Sequence, residues 1–275
     1  MGFEIAAASV GDVRLMGEWA LREGWNPGLS DPVAFGVADP GGFLVGRLDG
    51  EPVACVSAVR YGAGFGFVGF YIAQPEVRGQ GYGIQLWRAG MSRLAGRLVG
   101  LDGVVDQQAN YRKSGFARAW NNIRYEGVLS SVDSTVDLVD ARAVPFEEIA
   151  AYDRGFFPEP RDAFLSNWLS LPDHTALAAV LDNTIIGLAV RRAAQGPDRI
   201  GPLYADSPRT ATALLAALSA GDPVVIDVPD ANPAAVRLVE DAGFKPTFEA
   251  ARMYTGPAPD IELSGLFGIT SLELG

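Results

Sequence analysis

Residues 65–98 constrain the chain more than any other stretch. Gly66-Phe67-Val68-Gly69-Phe70-Tyr71-Ile72-Ala73 reads as an apolar strand; Gln74-Pro75-Glu76-Val77 then leads into Arg78-Gly79-Gln80-Gly81-Tyr82-Gly83, and a helical period follows at once through Ile84, Leu86, Trp87, Met91, Leu94 and Leu98. Strand, glycine-rich turn and helix in that order make an anion site. Glycines let the backbone turn tightly and approach a ligand closely. The first helical turn leaves N–H groups without partners, and the helix dipole favours negative charge there. A phosphate or pyrophosphate suits such a place. No Gly-Lys-Ser/Thr follows, so this is not a nucleoside-triphosphate loop. The glycines at 79, 81 and 83 also miss the Gly-x-Gly-x-x-Gly spacing of dinucleotide folds.

The flanks supply the rest of one unit. Ile5–Ala7 reads as a strand, and Ser9 or Asp12 caps a helix over Val13–Leu21 with Leu15, Met16, Trp19 and Ala20 inward. Gly24-Trp25-Asn26-Pro27-Gly28 interrupts it, and Asp31–Phe35 reads as a short helix. Gly42–Arg47 and Pro52–Tyr61 form a hairpin about the Asp49-Gly50 turn. After the central helix, Leu101–Val105 is a strand, Tyr111-Arg112-Lys113-Ser114-Gly115-Phe116 follows, and Trp120–Tyr125 closes the unit.

Charge and composition narrow the function. A net charge of -11 with only 22 Lys and Arg argues against nucleic-acid and anionic-lipid partners, and is compatible with a cationic or neutral amine substrate. Cys55, the only cysteine, lies mid-strand among apolar residues and reads as a buried small hydrophobe. His174, the only histidine, precedes a strand and reads as surface decoration. One Cys and one His make no metal cluster, so no metal is expected. With no secretion signal and no run of 18 apolar residues, a soluble, cytoplasmic protein without membrane contact is expected. A homodimer is compatible with the sequence, which does not fix the oligomeric state.

Arg78-x-x-Gly81-x-Gly83 resembles the acetyl-CoA pyrophosphate loop of the GNAT (GCN5-related) N-acyltransferase superfamily, and Tyr111-x-x-x-Gly115-Phe116 resembles that family's second feature. The likeness covers roughly residues 3–127. It implies acetyl-CoA as co-substrate, held through Arg78, Gly79, Gln80, Gly81, Tyr82, Gly83 and Ile84, with the thioester placed by Phe70, Tyr71, Ile72 and Ala73. By the same resemblance Tyr111 protonates the leaving thiolate, and Trp25, Asn26, Phe35 and Tyr71 line the pocket of a small-molecule amine acceptor. Arg88 could add charge near the loop. The base is left open: Asp106 near Tyr111 is the candidate, with Glu51, Tyr71, Glu76 or a water chain as alternatives. A CoA-binding sensor without turnover is the competing reading.

The second part of the chain repeats the first. Leu48-Asp49-Gly50 and Leu181-Asp182-Asn183 stand 133 residues apart, and Gly115-Phe116 and Gly243-Phe244 stand 128 apart. This predicts an α/β (mixed α+β) tandem protein: two GNAT-like domains, 1–127 and 138–275, joined by a linker at 128–137, each a mixed, mostly antiparallel sheet flanked by helices. The second copy has Asp206-Ser207-Pro208-Arg209-Thr210 where the glycine loop would be, and Val239 where the tyrosine would be. It is expected to be catalytically silent. Arg191-Arg192 could meet acidic groups across the domain interface, and Leu263–Leu272 reads as an extra strand or an inter-domain tie.

Overall fold

A computed structural model describes residues 2–130, 132 and 134–275. Ser131 and Asp133 of the expected linker lie outside the described residues. In chain order the first half is β1 (Phe3–Ala7), α1 (Val10–Arg22), α2 (Asp31–Ala38), β2 (Phe43–Leu48), β3 (Glu51–Tyr61), β4 (Phe65–Ala73), α3 (Tyr82–Arg93), β5 (Leu98–Val104), α4 (Gln108–Lys113) and β6 (Ala117–Val128). The second half repeats the layout as β7 (Asp137–Asp140), α5 (Phe146–Asp153), α6 (Asp162–Ser170), β8 (His174–Leu181), β9 (Thr184–Arg192), β10 (Asp198–Ala205), α7 (Pro208–Ser219), β11 (Pro223–Pro229), α8 (Pro233–Asp241) and β12 (Lys245–Tyr254), and adds β13 (Leu266–Gly268).

Local chemistry explains these boundaries. Ser9 and Asp12 form a reciprocal capping box that starts α1. Asn232 caps α8 through Ala234 and Ala235, with Pro233 at the first position. The two hairpin turns require left-handed backbone, at Asp49 (φ 53) and Gly50 (φ 92) in one copy and at Asp182 (φ 49) and Asn183 (φ 60) in the other.

The strands form one sheet in the order β1-β2-β3-β4-β5-β12-β6-β11-β10-β9-β8-β7. Among the described residues, β4–β5 and β10–β11 are the pairs that run parallel. Each half lends its last strand to the other: β12 pairs with β5 through Met253–Leu101, and β6 pairs with β11 through Tyr125–Ile226. The expected last strand of the first unit therefore forms, but both its edges lie against second-half strands, β12 and β11. A repeat in sequence states how many copies exist, not which copy each closing strand joins.

The core runs across the same boundary. Phe35 stacks on Trp168 at 5.9 Å, and both are fully buried. His174 is also buried, at 5% exposure, contrary to its reading as a surface residue. Its ring stands edge-on to Trp168, its Nδ1 lies 2.8 Å from the Trp168 carbonyl, and its Nε2 lies 3.7 Å from Asp31. The packing of α6 encloses it, a relation that flanking sequence does not carry. Arg192 does bridge the halves, ion-paired with buried Asp31.

Candidate active site

The parallel pairing of β4 with β5 runs from Phe65–Leu98 to Val68–Leu101 and stops there, although β4 continues to Ala73. The cause is local. Opposite β3 the register slips between Cys55–Ile72 and Ser57–Gly69, and Phe70 takes a left-handed φ of 47. This is a β-bulge, which bends its strand away from a neighbour. The Cys55 thiol donates to the Phe70 carbonyl at 3.1 Å and so helps fix the bulge. Burial pushes that thiol well above its ordinary range, so Cys55 is no nucleophile.

The splay opens a cleft of about 660 Å³ between β4 and β5. Phe70, Tyr71, Ile72, Ala73, Arg78, Gly79, Gly81, Gly83, Ile84, Tyr111, Asp106 and Trp25 all line it. The glycine loop stands at one end. Gly79 (φ 78) and Gly81 (φ 86) require left-handed backbone, and a Cβ at either would point into open space. That space, at the start of α3, fits a pyrophosphate group. Arg78 is fixed to the Ala73 carbonyl at 2.8 Å and to Glu23, so it braces the loop against β4 and α1.

The loop does not contribute uniformly. The Gln80 N–H is already taken by the Val77 carbonyl at 3.3 Å, and its side chain bonds the Glu76 carbonyl. The Tyr82 ring turns away and packs on Phe3 at 4.7 Å. Neither residue lines the cleft.

Tyr111, on α4, stands against the Trp87 ring at 5.4 Å, and Trp87 stands 5.3 Å from Tyr71. A side chain at Gly103 would collide with the Tyr111 ring at 2.8 Å, so this glycine makes room for it. Burial, then nearby Tyr71, pushes the Tyr111 phenol well above its ordinary range and keeps it protonated at neutral pH. Asp106 sits exposed on the turn between β5 and α4. A buried acid also lines the cleft: Asp102 accepts two 2.8 Å hydrogen bonds from Arg252 and one from Asn122.

On the Trp25 side of the cleft, residues of both halves shape the wall. Arg124 and Arg199 donate to the Trp25 carbonyl at 2.7 and 2.9 Å, and Arg199 also reaches the Asn26 carbonyl at 3.0 Å. Both arginines pair with buried Asp227. Asn26 is outside the cleft: its amide bonds Pro197 and Gly196, and its φ is 48. Phe35 is outside it too, drawn into the core by Trp168 and Phe70. Sequence reasoning missed Phe248, Ala250, Leu272 and Glu273, which come from the second half. Only the tail's reading as an inter-domain tie pointed their way.

Among the described residues, β13 and the α7 cap occupy the equivalent place in the second half. Ser207 caps α7 by accepting from Thr210, so no bare helix start remains. Beyond the β10–β11 pairing at Ile200–Ile226, β13 lies beside β10 through Leu203–Gly268 and Tyr204–Leu266, and fills the corresponding gap. The tail then crosses to the first half, where a Cβ on Gly69 would fall 2.0 Å from the Glu273 carbonyl oxygen.

Comparisons with known proteins agree with this architecture. A model described as acetyltransferase (GNAT) family matches residues 14–116, and one described as acetyltransferase (GNAT) domain matches residues 149–268. A holothin acyltransferase from a Pseudoalteromonas strain is 33% identical over 274 residues, covering 98% of this chain and 93% of its own. This chain belongs to the GNAT acetyltransferase superfamily. Among solved structures, a Pyrococcus horikoshii protein described as an acetyltransferase matches with a TM-score of 0.85 at 21% identity, covering 100% of this chain and 96% of its own. A tandem GNAT protein from the clavulanic acid biosynthesis pathway matches with a TM-score of 0.63 at 17% identity, covering 94% and 100%. These two likenesses carry the fold, and they carry it across both halves.

The GNAT assignment makes the protein an acetyl-CoA-dependent acyltransferase, and the mixed α/β tandem architecture is the one its sequence predicts. Among the described residues, no group of three His, Cys, Asp or Glu side chains is placed to hold a metal, and no helix is long and apolar enough to cross a membrane.

Proposed function

We propose that this enzyme transfers an acetyl group from acetyl-CoA directly to the amine of a small molecule in the β4–β5 cleft. The observation that carries the reading is the end of β4–β5 pairing at Val68–Leu101, which leaves residues 69–73 facing a cleft that leads to the glycine loop. The first-turn amides of α3, with Gly79 and Gly81, hold the pyrophosphate; the free edge of β4 places the thioester. Tyr111, half-buried and protonated beside the cleft, donates its proton to the departing thiolate. Trp25 and Tyr71 present aromatic walls to the acceptor.

Residues 1–127 carry the cofactor and 138–275 are the silent copy, joined at 128–137. That second copy contributes β12, the clamp on Trp25 and the tail. The relative named holothin acyltransferase makes holothin one acceptor to include in a screen.

Calorimetric titration with acetyl-CoA, followed by thiol release with an amine panel, tests the reading. One acetyl-CoA site per chain and amine-dependent thiol release are expected. Two sites, or none, would overturn it; binding without thiol release from any amine would mark a sensor instead.

A further inference from the structure

We propose that Glu273, brought into the first half's cleft by the tail of the second half, is the general base that takes a proton from the acceptor ammonium; the inference rests on the acetyl-transfer reading above. Four carboxylates line the cleft: Glu23, Asp102, Asp106 and Glu273. Glu23 is engaged by Arg78, and Asp102 by Arg252 and Asn122. Asp106 is exposed on its turn. Glu273 is 2% exposed, and its Oε1 is buried without a hydrogen-bond partner.

Among the described residues, none of the three arginines around it hydrogen-bonds the Glu273 side chain. Arg124 on β6 serves Asp227 and Trp25; Arg199 on β10 serves Asp227, Trp25 and Asn26; Arg192 on β9 serves Asp31 and Thr270 and keeps a buried Nε without a partner. All three act on the charge of Glu273 from a distance, opposed by Asp31 on α2. Burial outweighs them and raises the carboxyl above its ordinary range. The contact of its backbone with Gly69 puts Glu273 at the apex of the splay, one residue past the last β4–β5 pair. That is the stretch of β4 assigned to the thioester.

The steps balance as follows. Glu273 carboxylate accepts one proton from the acceptor R–NH₃⁺. The freed lone pair forms the C–N bond at the thioester carbonyl. The C–S bond breaks, and Tyr111 gives its proton to the thiolate. One of the two N–H protons of the new amide cation goes to the Tyr111 phenolate, leaving the neutral amide, and Glu273 releases its proton to solvent.

The test uses the full chain and its variants Glu273→Gln and Glu273→Asp. Acetyl-CoA affinity is measured by calorimetry. Transfer is measured from pH 5 to 9 with the best acceptor from a primary-amine panel that includes benzylamine, and with hydroxylamine, which is already neutral near pH 7. Glu273→Gln should bind acetyl-CoA as the parent does, lose about 100-fold or more in kcat/KM for the ammonium acceptor, and retain far more of its rate with hydroxylamine. With the ammonium acceptor, Glu273→Gln should lose the parent's plateau and show a rate that keeps rising toward the amine's own pKa, because only amine already neutral in solution can react; Glu273→Asp should keep a plateau. Equal losses for both nucleophiles, an unchanged kcat/KM, or a parent-like plateau in Glu273→Gln would overturn the role. A parent that binds acetyl-CoA yet acetylates no amine would overturn it as well. A parent that binds no acetyl-CoA would remove the reading beneath it.

Discussion

Asp102 and Arg252, 150 residues apart in sequence, face each other across β5 and β12 with two hydrogen bonds of 2.8 Å. The pair fastens the borrowed strand to the half that borrows it. It also disposes of one of the cleft's carboxylates, because both Asp102 oxygens accept from Arg252. Burial raises the Asp102 carboxyl and Arg252 pulls it down, so removing the arginine would strand a charge. Arg252→Met should destabilise the fold by about 3–5 kcal/mol, read from urea unfolding. A loss within experimental error would mean that β12 is held by its backbone alone.

The glycine loop makes a separate prediction about binding. Space around Gly81 is open, so the indole of Gly81→Trp fills the proposed phosphate cradle without meeting the core, at a backbone cost of about 1–3 kcal/mol because φ is 86. We expect a folded variant with no calorimetric acetyl-CoA signal. Binding as tight as the parent's would show that the loop is only a turn.

Tyr111→Phe removes one hydroxyl from an aromatic cluster that stays packed on Trp87. Acetyl-CoA affinity should hold, and turnover should fall roughly 10- to 10,000-fold. The sign with pH follows from the raised phenol: Tyr111 remains in its acid form through the assay range, so it gives no basic limb below pH 9. Unchanged turnover in the variant would release Tyr111 from proton transfer.

Asp227 joins Arg124 to Arg199 beneath the Trp25 loop. Burial alone would raise its carboxyl, but the two arginines hold it at about 2, against 3.8 unperturbed. A depressed folded value stabilises the protein above the unperturbed value, and that contribution disappears as pH falls through the folded one. Stability should therefore drop by the order of 2 kcal/mol between about pH 4 and pH 2 on account of this group. Asp227→Asn should flatten that part of a denaturant-midpoint profile. It should also raise KM for the amine while leaving acetyl-CoA affinity in place, since the loop it anchors lies on the acceptor side.

The parts of this molecule that could be read from its sequence are those whose chemistry is local. The glycine loop, the Tyr111 helix, both hairpin turns and the caps at Ser9 and Asn232 each lie within a few consecutive residues. The cleft wall that these segments form was legible for that reason. Phe35 and Asn26 were assigned to the pocket by the family resemblance, but packing on Trp168 and bonding to Gly196 decided their positions. Glu273 gave no signal at all: a glutamate in an apolar tail looks like a solvated charge until the fold carries it across the molecule. His174 misled in the same way, since its burial depends on α6.

The strand β13 can be viewed as a competitor that has already won. It lies in the gap between β10 and β11 that corresponds to the cleft in the first half. Because it is covalently tethered, its effective concentration in that gap is of the order of millimolar or above, and it brings a preformed strand with no translational entropy left to lose. A free pantetheine arm arriving from solution would have to displace it while contributing neither advantage. Raising the acetyl-CoA concentration should therefore fill one cleft per chain and then stop.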